Sequence, residues 1–210
     1  MPAVEVFYFQ EDEDKVPLIR WLDQLPAKAQ QKCQVRLERL EAMGNDLRRP
    51  EADYLRDDIY ELRASCQGVH YRMLYFFHGG GLSNRVRRSM RSRGSKAMAK
   101  TLKKKTFQSA ALQYTYDRYI GNDAKRIQEY EEEVLNAEIA RKVYDLRTKA
   151  GISQRELAKR IGTSASAICR LEAADYEGHS LYMLKRIAAA LDRRIEIRFV
   201  PVRRRQLKTA

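Results

Sequence analysis

The stretch Gly151-Ile-Ser-Gln-Arg-Glu-Leu-Ala-Lys-Arg-Ile-Gly-Thr-Ser-Ala-Ser-Ala-Ile-Cys-Arg-Leu-Glu172 encodes two short helices and the bend between them. Ser153 and Glu156 stand at capping-box spacing, where the serine oxygen and the glutamate each satisfy an otherwise unpaired N–H of the first turn. Ala158 lets the helices approach closely, and Gly162 permits the tight bend. Leu157, Ile161, Ile168 and Leu171 close a small core, backed by Leu184, Ile187 and Leu191 of a third helix. Helices are therefore expected over residues 153–161, 164–173 and 180–191. With Ile168 and Leu171 turned inward, Ala165, Ser166, Cys169 and Arg170 face outward.

Upstream, a long helical pattern begins at Asn122, with Asp123 as N-cap. Leu135, Ile139, Val143 and Leu146 form its apolar stripe and Gly151 its stop. About 27 residues at ~1.5 Å each would span ~40 Å. Downstream, residues 194–200 alternate as a strand. A lone strand leaves its backbone groups unpaired, which favours a twofold mate in a homodimer.

The motif Ser-Gln-x-Glu-Leu-Ala, Ile-Gly and Ser-x-Ser-x-Ile-x-Arg-Leu-Glu resembles the lambda-repressor/Cro (XRE) family of helix-turn-helix domains over roughly residues 135–192. The resemblance implies that residues 164–173 form a recognition helix in the major groove of operator DNA, with a dimer presenting two such helices to a palindromic site. Arg170 then suits a guanine O6/N7 edge, Ser166 can donate or accept, and Ala165 can touch a thymine methyl. Cys169 completes the base-facing set. Gln154 matches the family's phosphate-contacting position, and Thr163 and Ser164 offer hydroxyl and N–H groups to the backbone.

The first 78 residues have a different pattern. Residues 4–9 are β-branched and aromatic and read as a strand that starts a sheet. Two helices follow, over residues 16–25 and 27–43. The second has Cys33, Leu37 and Leu40 on one stripe, Gly44 as its stop, and a charged, solvated opposite face. Residues 59–63 and 69–77 are strand patterns joined by the five-residue loop Ala-Ser-Cys-Gln-Gly. The aromatic density of the last strand implies a buried, central position with neighbours on both sides. The fold class is α+β: a small two-helix and antiparallel-sheet domain, then an all-α helix-turn-helix domain with a C-terminal strand.

Charge separates the two halves. Of 210 residues, 41 are Lys or Arg and 28 Asp or Glu, a formal net charge of +13, which suits a nucleic-acid partner. Residues 1–78 carry −3, residues 79–105 carry +10 with no acidic residue, residues 106–202 carry +2 and residues 203–210 carry +4. The 79–105 stretch is rich in Arg, Ser and Lys, has no periodicity, and reads as a disordered linker. No apolar run suits a membrane helix and the N-terminus is acidic rather than signal-like, so a cytoplasmic protein is expected. Cys33, Cys66 and Cys169 are widely spaced without a CxxC or a histidine pair. They read as reduced packing thiols, and neither metal nor cofactor is expected.

Tyr60-Glu-Leu-Arg63 and Gly68-Val-His-Tyr-Arg72-Met-Leu-Tyr-Phe-Phe resemble the phage-derived branch of the RelE/HigB toxins, over residues 3–78. The resemblance implies mRNA cleavage on the ribosome. That chemistry needs cationic and acid/base groups around the phosphorane, with Arg63 and Arg72 as the main candidates and Tyr71 and His78 behind them. A pairing of Arg63 with Glu61 or a helix carboxylate is the structural alternative. These toxins continue with a further strand and a lysine-bearing C-terminal helix; here the basic stretch replaces both. A toxin truncated by a frameshift near His78, running into its antitoxin at Met98, accounts for this.

Tyr116-Asp-Arg-Tyr-Ile-Gly, Asn136-Ala-Glu-Ile-Ala, Tyr144-Asp-Leu-Arg147 and Asp175-Tyr-Glu-Gly-His-Ser-Leu resemble the HigA-type antitoxins encoded beside such toxins. The organisation expected is a truncated toxin domain (1–78), linker (79–105), antitoxin N-terminal segment and start of the long helix (106–134), helix-turn-helix domain with terminal strand (135–202) and basic tail (203–210). Its function would be operator binding and repression, with the toxin held in cis, or a cognate toxin in trans, as protein partner. The alternatives are an active ribosome-dependent ribonuclease meeting ribosome and mRNA, and a transcription factor with an N-terminal interaction module.

Overall fold

The computed structural model describes residues 4–12, 15–78, 107–175 and 180–198. The expected linker at 79–105, the last residues of the expected terminal strand and the tail at 203–210 lie outside the described residues. Two helices open the chain, α1 (Pro17–Asp23) and α2 (Ala27–Met43). Strands β1 (Ala52–Arg56), β2 (Ile59–Cys66) and β3 (Val69–Phe76) follow. The second half is helical: α3 (Ala110–Tyr119), α4 (Ala124–Lys149), α5 (Gln154–Arg160), α6 (Ala165–Glu172) and α7 (Leu181–Ala190). The whole is α+β, as the sequence predicts.

The sheet is antiparallel in the order β1-β2-β3. β2 and β3 meet through a two-residue turn, not a five-residue loop: Cys66 pairs with Val69, and both Gln67 and Gly68 have positive φ. Such a turn matches the twist of the strands it joins, so Ala64, Ser65 and Cys66 stay in the ladder. The expectation of a central, buried β3 is also corrected. Among the described strands β2 is central and β3 lies at the edge, with Met73 buried but Leu74 and Phe76 exposed by 67% and 62%. Aromatic density reflects one inward face, where Tyr60 stacks on Tyr75 and both meet Phe77 edge-on, rather than burial on both.

Residues 4–9 are extended but join no sheet among the described residues. Val4 N–H donates to the Glu41 carbonyl at 2.9 Å, Val6 N–H donates to Ser109 Oγ at 2.7 Å, and the Tyr8 and Thr115 hydroxyls are 2.9 Å apart. Strand propensity describes a chain lying on a half-buried surface, and here helices provide that surface.

α2 is buried almost all round. Cys33, Leu37 and Leu40 form the expected core stripe, and burial pushes the Cys33 thiol up to about 12. The opposite face is not solvated: Gln31, Lys32, Gln34 and Arg36 are buried too, because α3 and α4 cover it. Polar groups there find partners from far along the chain, with Thr115 Oγ1 donating to Gln34 Oε1 at 2.6 Å and Lys32 pairing with Glu133 at 2.8 Å. One hydrophobic core consequently runs from Leu22, Cys33 and Leu62 through Leu112, Tyr116, Tyr130 and Ala140. Arg118 clamps Asp23 with two bonds of 2.9 Å, and those bonds hold the Asp23 carboxyl below its ordinary range.

α4 starts as expected, the Asp123 carboxylate accepting from the N–H groups of Lys125 and Arg126. Its stripe differs along its length. The first half buries Tyr130, Glu133, Ala137 and Ala140 against α2, leaving Leu135 exposed, and only the second half uses Ile139, Val143 and Leu146 against the C-terminal helices. There Val143, Leu157, Ile161, Ile168, Leu171, Ile187 and Leu191 make a second core. Of the three cysteines, Cys33 and Cys66 are buried and Cys169 is exposed, so the packing role fails for Cys169. Residues 193–198 form no ladder, since no second strand lies beside them among the described residues. No described helix is long and apolar enough to cross a membrane.

Candidate nucleic-acid interface

The three short helices of the second core, α5, α6 and α7, each start on a serine. Ser153 Oγ accepts from Glu156 N–H, Ser164 Oγ from Ala167 N–H and Ser180 Oγ from Met183 N–H, each at 3.1 Å. The reciprocal half of the capping box is absent, because the Glu156 carboxylate instead takes Arg160 Nε at 2.9 Å one turn on. Gly162, at φ +58°, makes the bend between α5 and α6.

α6 buries Ile168 and Leu171 and exposes Ser166, Cys169 and Arg170, while Ala165 is half-buried against the second core. The Thr163 N–H is spent on the Ala158 carbonyl at 2.9 Å, closing α5. Of the backbone-contacting set, Ser164 serves its own helix and lies 3.0 Å from Ser166 Oγ. Gln154 does not point freely outward; its Nε2 donates to Glu172 Oε2 at 2.7 Å. Glu172 in turn receives Arg147 Nε at 2.6 Å and Arg147 Nη2 at 3.0 Å. This Arg147–Glu172–Gln154 group ties α4, α5 and α6 together. Nothing in apolar periodicity marks it; the only signal was an Arg and a Glu at inward positions of otherwise apolar helix faces.

The end of α6 is fixed to the first half of the chain. The Asp175 carboxylate accepts the N–H groups of Gln67 and Gly68 at 2.7 and 2.9 Å, and the Ala173 carbonyl accepts Arg36 Nη2 at 3.2 Å. The β2–β3 hairpin thereby stands beside the outward face of α6.

Arg63 and Arg72 are direct cross-strand partners on the outer face of that hairpin. They converge as the sequence suggested, but onto carboxylates. Glu61, 1% exposed, receives Arg63 Nε at 2.6 Å and lies 3.5 Å from Arg72 Nη1. Asp53 receives Arg63 Nη2 and Arg49 Nε, each at 2.8 Å, and the Arg49 bond holds its carboxyl below the usual range. Tyr71 is on the other face, its ring edge-on to Trp21 at 6.1 Å, and burial pushes its phenol up. His78 lies beyond the end of β3. The histidine that shares the face of Arg72 is His70, whose Nδ1 is 2.9 Å from Ser65 Oγ. Two-residue alternation from Arg72 would have found it.

A cleft of about 480 Å³ separates this face from the helical unit. Arg49, Arg63 and Arg72 border one side, Gln154, Cys169 and Glu172 the other.

A capped, glycine-hinged helix pair with an outward polar face on its second helix defines a helix-turn-helix DNA-binding regulator. Comparison with known families agrees: residues 143–197 match the family model described as Helix-turn-helix, and residues 20–84 match the one described as Phage derived protein Gp49-like (DUF891). The chain is thus similar to a phage-derived, Gp49-like protein over one stretch and to an XRE-type helix-turn-helix over another, a pairing that suggests a toxin-antitoxin context. No curated protein and no solved structure matches it.

Proposed function

We propose that the chain is an operator-binding antitoxin and repressor of a toxin-antitoxin operon, fused to a toxin-type domain that does not cleave RNA. The observation that carries the reading is α6 itself, its apolar side locked into the second core and Ser166, Cys169 and Arg170 turned to solvent. Two copies joined through residues 194–200 would present two such helices about one DNA turn apart. The cis arrangement supports a holding role, since α3 and α4 cover α2 in the same core that supports the sheet. Tethering raises the effective concentration of such a partner into the millimolar range.

In a site-selection experiment with the full chain and random duplex DNA, a single preferred sequence is expected. Arg170→Ala should relax preference at one position, a loss of about 1–3 kcal/mol for a bidentate guanine contact. Unchanged affinity and preference would remove α6 from the DNA.

A second reading, a ribosome-dependent ribonuclease, draws on Arg63, Arg72 and His70 sharing one sheet face. Against it, Glu61 and Asp53 already occupy the head of Arg63, one of the two arginines that would meet a phosphorane. The full chain incubated with translating ribosomes is expected to leave mRNA intact; cleavage within codons would favour the ribonuclease.

A further inference from the structure

We propose that the arginine face of the sheet, with Arg72 foremost, is part of the DNA-binding surface and grips the phosphate backbone beside α6. This rests on the operator-binding reading and gives the toxin-type half a role in it.

The cleft carries the argument. Gln154, at the start of α5, borders the cleft while its amide is held on Glu172 at 2.7 Å, and Cys169 lies on the outward face of α6 beside Arg170. Both border the same cleft as Arg49, Arg63 and Arg72. A helix in the major groove, about 12 Å wide, is flanked by a phosphate strand on each side. The strand that passes Gln154 therefore passes the arginines across the cleft.

The charge balance suits an anion there. On the helical side Glu172 is neutralised by two bonds from Arg147 and one from Gln154. On the sheet side three guanidiniums face two carboxylates, Glu61 and Asp53, leaving one positive charge. Arg72 holds the loosest of these pairs, 3.5 Å from Glu61 and with its side chain 64% exposed, so its head can turn to a phosphate while Glu61 keeps Arg63. The bonds from Asp175 to the hairpin turn fix the distance between the sheet and α6.

The test measures binding of the full chain to its selected operator across a range of salt. Arg72→Ala should weaken binding about tenfold, as expected for one charge-assisted hydrogen bond, and reduce the log–log salt slope by about one. Sequence preference should not change, because phosphate contacts position without specifying, and Arg72→Lys should restore most of the affinity. Arg56→Ala, which removes an equal charge from an exposed site paired only loosely with Asp57 at 3.9 Å, should change little. An unchanged slope in Arg72→Ala, an equal loss in Arg56→Ala, or tighter binding on removing Arg72 would each overturn the inference. The last of these would mean that the sheet blocks the DNA. Should Arg170→Ala alter binding while Arg72→Ala does not, only this inference falls. Should the chain select no sequence at all, the operator reading falls and takes it along.

Discussion

Glu172→Ala is expected to destabilise the helix-turn-helix unit by about 3–5 kcal/mol, the usual cost of stranding one partner of a buried ion pair. Glu172 is 1% exposed and takes three hydrogen bonds, two from Arg147 and one from Gln154. Without it the Arg147 guanidinium stays buried with the Ile152 carbonyl at 2.7 Å and no counter-charge among these partners. An arginine side chain is too basic to escape the burial by losing its proton. Arg147→Ala should cost a similar amount from the other side. Replacing both, as Arg147→Met with Glu172→Leu, should recover most of the loss, because a well-packed apolar pair carries no desolvation penalty. Urea unfolding of the three variants measures this. Single-variant losses below about 1 kcal/mol would show that the pair is hydrated rather than buried. Operator affinity should fall in the double variant even where stability returns, since Gln154 then loses the acceptor that orients it.

The helix-turn-helix was legible because its determinants are local. A serine at each N-cap, a glycine at the bend and apolar residues at helical spacing lie within forty residues and act within them. The same holds for Asp123 at the head of α4. What escaped depends on partners far away. The polar face of α2 looks solvated until, some eighty to a hundred residues later, Thr115 donates to Gln34 and Glu129 and Glu133 receive Gln31 and Lys32. Periodicity counts apolar side chains and is blind to a polar layer satisfied across an interface. β1 was missed because Ala-Asp-Tyr-Leu-Arg carries little alternation and is held by β2, its Tyr54 meeting Tyr60 edge-on. At the site, motif positions put Arg63 and Arg72 on adjacent strands, but their direct pairing depends on the two-residue turn, since a five-residue loop would set Arg63 opposite Val69. The cleft was not, because its walls come from residues about a hundred positions apart and only the fold brings them together.

The second large effect is expected at Glu51, and it bears on whether the two halves of the chain unfold as one. Glu51 is 2% exposed and its carboxylate serves three guanidiniums: Arg36 at 2.8 Å, Arg141 at 3.3 Å, and Arg39. Arg36 lies in α2 and also donates to the Arg63 carbonyl at 2.9 Å and to the Ala173 carbonyl beyond α6. Arg141 lies in α4 and reaches the carbonyls of Arg48 and Arg49. The carboxylate thus neutralises cations from α2 and from α4 together. Burial is the main influence lowering the Arg36 pKa, with the Arg39 charge adding to it, and Glu51 is the largest influence opposing it. Glu51→Ala removes that counter-charge and leaves a fully buried guanidinium, for which about 3–5 kcal/mol is the expected loss. Because the network spans the shared core, the loss should appear in both halves. Amide exchange should quicken in β2 and in the middle of α4 by similar factors, and a single unfolding transition should move to lower denaturant with its slope unchanged. Faster exchange confined to β2, with α4 as protected as before, would mean that the helices hold together without the sheet. The covering of α2 by α3 and α4 would then be a loose dock rather than a common core.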